Sequence, residues 1–79
     1  MATTLNQKDI SRILRVAPKL VDLPSRRMWI DYDDDADVLY ISFRRPQGAT
    51  DSEMRDDGII LHKLGERIVG LTILDASNR

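Results

Sequence analysis

The sequence predicts an α+β fold: an N-terminal amphipathic helix followed by a four-stranded antiparallel sheet built from two β-hairpins. Three observations carry that expectation. Ile10, Ile13, Leu14 and Ala17 recur at helical spacing near the N-terminus. Four short runs rich in β-branched, aromatic and leucine residues follow in the remaining two-thirds of the chain, separated by turn formers. Finally, 79 residues leave room for one domain, 1–79, divided into a helical N-terminal segment and linker (1–24) and a two-hairpin sheet (28–77).

The helix begins after Asn6, a residue whose side chain can accept a backbone N–H at a helix start, and Asp9 places a negative charge in the first turn. At about 100° per residue the apolar positions cluster on one side. Lys8, Arg12 and Arg15 fall on the other, joined by Lys19 if the helix continues. Pro18 cannot donate to Leu14 and disfavours helical geometry at Ala17, so the helix is expected to end near Val16 or Ala17. Leu23, Pro24 and Ser25 then read as linker.

Met28–Tyr32 and Val38–Arg44 form the first hairpin across a five-residue loop of Asp33, Asp34, Asp35, Ala36 and Asp37. Pairing Tyr32 with Val38 places Met28, Ile30, Tyr32, Val38 and Tyr40 on one face. Trp29, Leu39, Ile41 and Phe43 then share the other. Residues 45–57 are polar and read as a loop, with a short helical turn around Ser52–Arg55. The second hairpin pairs Gly58–His62 with Arg67–Leu74, and Gly70 within the last strand marks a bulge or a close backbone approach.

A sheet with one wet face alternates apolar and polar residues; a sheet covered on both faces does not. Strands one, two and four look apolar on both sides. The helix is expected to cover one face and a second chain the other, with Trp29, Leu39, Ile41, Phe43, Leu71 and Ile73 at the interface. A chain this short supplies little net stability from its own core, and with no cysteine it has neither disulfides nor thiolate-held metal to add. A homo-oligomer, with a dimer favoured, follows as the expected state, and a heterologous protein partner is the other way to cover the face.

Charge is unevenly spread beneath a net −1: residues 1–30 balance to +4 and residues 31–57 to −6. The basic helical arc has no interleaved aromatics and the chain is acidic overall, which argues against nucleic acid as the partner. The N-terminus has no apolar run of the signal-peptide kind and no stretch is long enough to cross a bilayer, so a cytoplasmic protein without membrane association is expected.

Two segments carry a resemblance. Tyr32, Asp33, Asp37, Leu39, Tyr40 and Ile41 follow the pattern Tyr-Asp-x-x-x-Asp-x-Leu-Tyr-Ile. Val69, Gly70 and Ile73 to Ser77 follow Val-Gly-x-x-Ile-Leu-Asp-Ala-Ser. Over about residues 28–77 the chain resembles a family of small bacterial proteins, domain of unknown function 2283. The resemblance implies a compact sheet-based fold and a bacterial cytosolic setting, and implies no activity. Some members resemble the small partner encoded beside a toxin-like protein, which brings in an antitoxin-like role. The chain departs from the pattern at His62–Glu66, where members often carry an acidic turn, and the basic helix lies outside the likeness.

Candidate chemistry is sparse. Asp31, Asp33, Asp35 and Asp37 alternate and could converge on a divalent cation. The calcium-loop pattern fails, however, because its sixth and twelfth positions, counted from Asp33, hold Val38 and Arg44. Aspartates that accept loop N–H groups explain the same residues. His62 is the lone histidine, the serines near it in sequence are few, with Ser77 fifteen residues away, and no nucleophile–base–acid set stands out. The expectation is a non-enzymatic protein without a cofactor. A divalent-metal-binding domain and the antitoxin-like neutraliser are the alternatives.

Overall fold

A computed structural model describes residues 4–79. The first three residues, part of the N-terminal segment read as lacking a signal sequence, lie outside the described residues. In chain order the elements are α1 (Gln7–Val21), β1 (Trp29–Asp33), β2 (Val38–Ser42), β3 (Asp51–Met54), β4 (Ile59–Leu64) and β5 (Arg67–Leu74). A short 3-10 turn, Ala76–Asn78, closes the chain.

α1 starts as its sequence dictates. The Asn6 side chain accepts the Asp9 backbone N–H at 3.0 Å, and the Asp9 carboxylate accepts the Asn6 N–H at 3.1 Å, forming a reciprocal capping box. Its end corrects the expectation of a stop near Ala17. The helix runs through Pro18 to Val21, leaving the Leu14 carbonyl without its usual N–H donor.

The sheet has five antiparallel strands in the order β1-β2-β5-β4-β3, one more than expected. The additional strand is β3, in the segment read as loop with a helical turn. It pairs Asp51 with Lys63 and Met54 with Ile60 at the open edge of β4. All four of its residues are exposed, so it buries no side chain that could have marked it as a strand.

The first hairpin is one residue out of the expected register. Asp33 pairs with Val38, Tyr32 with Leu39 and Ile30 with Ile41, because the turn occupies residues 34–37 and Asp37 closes it at φ +55°. A one-residue slip exchanges the faces of one strand relative to its neighbour. Paired residues share a face, so Ile30, Tyr32, Leu39, Ile41 and Phe43 now stand with Ile59, Leu61, Val69, Leu71 and Ile73. Trp29, expected with Leu39 and Ile41, lies on the opposite face with Tyr40, Ser42, His62 and Thr72. The sheet therefore has one apolar face and one mixed face, where two apolar faces were expected.

The loop after β2 returns over the mixed face. Gln47 Nε2 donates to Ser42 Oγ at 2.9 Å, and the Arg45 guanidinium sits 5.9 Å from the centre of the Trp29 ring. Gly70 lies beneath Gln47, where any Cβ would collide with that amide. The expected close approach is present. A bulge is present too, since β5 carries an extra residue where His62 pairs with Gly70 and Lys63 with Ile68.

The apolar face is not covered by α1. The helix makes no extensive contact with any strand, contains no buried residue, and leaves Ile13 at 51% and Leu14 at 64% exposure. Among the described residues only Val38, Val69, Gly70 and Thr72 are buried, and no large side chain is fully enclosed.

Candidate interaction surface

The apolar face of the sheet is built by alternation, its central residues half-buried. Every second residue of β2, β4 and β5 points to the same side, and the pairing brings Ile41, Leu61 and Leu71 into one row and Leu39, Ile59 and Ile73 into the next. At the β1 margin Ile30 is 54% exposed. One corner holds an open groove of about 760 Å³ where Leu23 and Pro24 of the linker meet Phe43, Leu61, Val69 and Leu71. Arg44, Arg55 and Arg67 flank it. Five of the six expected interface residues, Leu39, Ile41, Phe43, Leu71 and Ile73, thus share this face, and Trp29 does not.

The two ends of the sheet differ in charge. Strand directions place the 34–37 turn, the 55–58 turn and Asp75 at one end, with Asp33, Asp34, Asp35, Asp56 and Asp57 outnumbering Arg55, which pairs with Asp57, and Arg79. The other end carries Arg26, Arg27, Arg44, Arg45 and Arg67 against Glu66 and Asp51, and α1, with Lys8, Arg12, Arg15 and Lys19 against Asp9, joins the sheet there through the linker. The sequence's charge asymmetry thereby becomes a polarity along the strands.

Two of the four loop aspartates, Asp33 and Asp37, have structural employment. Asp33 Oδ1 accepts the backbone N–H groups of Asp35 at 3.1 Å and Ala36 at 3.3 Å, an Asx turn. Asp37 accepts from Tyr32 Oη at 2.7 Å, from the Ser77 N–H at 3.0 Å and from Ser77 Oγ at 2.7 Å. The Asp37 carbonyl also accepts the Ala76 N–H. The hydrogen bond from Tyr32, followed by those from Ser77, holds the Asp37 carboxyl below its ordinary range. The same bond to Asp37, aided by partial desolvation and the charges of Asp37, Asp34 and Asp33, pushes the Tyr32 phenol up. This clasp ties the first hairpin to the C-terminus across 40 residues.

The cation candidates are consequently rearranged. Asp33, Asp34 and Asp35 can bring carboxylate oxygens within 4.8 Å of one another, all exposed. Asp37 is spent on the clasp, and Asp31 projects from β1 outside the cluster. Asp33 is already bonded to two N–H groups of its own turn, which accounts for that carboxylate by loop geometry.

Sequence reading missed a polar row on the mixed face. His62 Nδ1 is 3.2 Å from Ser52 Oγ and its Nε2 is 2.7 Å from Thr72 Oγ1. Ser52 came within reach only through the unforeseen β3. A serine–histidine contact suggests a nucleophile and base, yet a working triad orients its histidine with a carboxylate. Here the second ring nitrogen meets the buried Thr72 hydroxyl, and the row satisfies that hydroxyl as a cross-strand hydrogen bond.

Residues 29–77 match the family described as Protein of unknown function (DUF2283). No curated protein and no solved structure matches the chain. No helix among the described residues is long and apolar enough to cross a membrane.

Proposed function

The chain belongs to the DUF2283 family, and from that premise we propose that it is a non-enzymatic, cytosolic bacterial interaction module that works as a homo-oligomer, most simply a dimer. The observation that carries the reading is the continuous apolar face of the sheet, left uncovered by α1. Isolated exposed apolar residues are ordinary, but a contiguous patch marks an association surface. At roughly 25 cal/mol per Å² of apolar area, hiding this face contributes several kcal/mol. That is comparable with the whole stability of a domain this size. A second copy supplies a surface of the same size and chemistry.

Light scattering after size exclusion tests this directly. The natural chain is expected at twice its monomer mass, and Phe43→Asp or Ile41→Asp at monomer mass with an unchanged far-UV spectrum. A monomer at every concentration removes the reading and turns attention to the antitoxin-like alternative, in which a different protein covers the face. A dimer indifferent to both substitutions places the contact elsewhere.

A further inference from the structure

Resting on the dimer reading above, we propose that the two copies meet face to face with their strands running in opposite senses, so that the acidic end of each sheet lies over the basic end of the other. The observation that carries this is the charge polarity of the strands. The apolar face by itself fixes only that two sheets stack, about 10 Å apart, and is indifferent to their relative direction.

Charge at the rims decides the direction. Stacked in the same sense, the two copies would bring Asp34, Asp35, Asp56 and Asp57 of one against the same residues of the other. Arg44 and Arg67 would likewise oppose their own counterparts. Like charges at an interface are strongly disfavoured. Stacked in the opposite sense, each acidic end meets the partner's arginines, and the same exchange occurs twice about a two-fold axis. α1 is joined to the same basic end and carries four further bases beside Asp9. A chain with net charge −1 thus holds two strongly charged and complementary halves.

The test uses two full-length variants at exposed positions: Arg44→Glu with Arg67→Glu, and Asp34→Lys with Asp56→Lys. Among the described residues none of the four side chains makes a hydrogen bond or ion pair, so circular dichroism should match the natural protein for both. Each variant alone opposes like charges at both ends, and its homodimer is expected to dissociate at least about tenfold more readily. An equimolar mixture restores opposite charges at both ends, and the heterodimer should regain most of the natural affinity in sedimentation equilibrium. Variants that dimerise as well as the natural chain, or a mixture no tighter than its components, overturn the antiparallel arrangement while leaving the dimer standing. A natural chain that stays monomeric overturns the dimer itself, and the two failures are distinguishable.

Discussion

Asp37 joins three separate pieces of the chain through one carboxylate, and its ionisation is therefore coupled to folding. Its carboxyl is held below the usual 3.8 by Tyr32 first and Ser77 second. A depressed folded-state value contributes stability that is present above the unfolded value and is lost as pH falls through the folded one. The melting midpoint of the natural protein is thus expected to decline below about pH 4. Asp37→Asn can keep the left-handed backbone but cannot ionise, and this contribution to the acid slope should vanish. Tyr32→Phe removes the largest cause and should flatten the slope in part. Thermal melts from about pH 2 to 6 check both; a slope unchanged in Asp37→Asn assigns the acid sensitivity to other carboxylates. Tyr32 has the opposite sign: its raised value contributes stability present below pH 10.0 and lost as pH rises through the folded value.

Among the elements, α1 is the one whose stability must come from itself. A helix of 15 residues without tertiary packing is marginal in water, and Pro18 inside it costs on the order of 3 kcal/mol relative to alanine. The capping box offsets part of that cost. Pro18→Ala is expected to raise the helical signal at 222 nm while leaving the melting of the Phe43→Asp monomer nearly unchanged, because α1 barely touches the sheet. A midpoint that climbs by several degrees in that background would show that α1 packs on its own strands. The elements also show what sequence can and cannot disclose. Asn6 and Asp9 announced the helix start because a cap is local chemistry. Pro18 misled for the same reason, since local preference set a boundary that the observed helix crosses. β3 was invisible because Asp51, Ser52, Glu53 and Met54 bury nothing and acquire strand geometry by pairing with β4. The register slipped because one aspartate, Asp37, adopts a left-handed conformation that shortens the turn, which was enough to carry Trp29 to the other face.

At the level of the whole molecule, the apolar face was legible as an excess of apolar residues, and the single-sidedness of the sheet was not. Periodicity grouped five of the six expected residues on one face, as the sheet places them, while the expectation that α1 covers the opposite face failed because the helix packs on neither. The helix is amphipathic, but amphipathicity names no partner. Coupling of an apolar face to oppositely charged ends predicts a particular salt response. At physiological ionic strength charges interact over about 8 Å, and at 1 M salt over about 3 Å. The dimer should therefore loosen with added sodium chloride without dissociating fully, since the apolar contribution persists. Dissociation constants across a salt series measure this, and complete insensitivity to salt would assign the contact to the apolar face alone.

The sheet is open on both sides, with β1 and β3 as its outermost strands. Bare strand margins invite another chain to extend the ladder, and an extension that does not close on itself grows into a filament. Here one margin carries Asp31 and Asp33 and the other Asp51 and Glu53, so two copies approaching margin to margin bring acid against acid. Growth along the hydrogen-bonding direction is thereby discouraged, whereas the proposed two-fold contact on the broad face would use up the surface that made it. The arrangement sets a stopping rule: the chain can be sticky enough to pair and still remain dispersed when it is abundant.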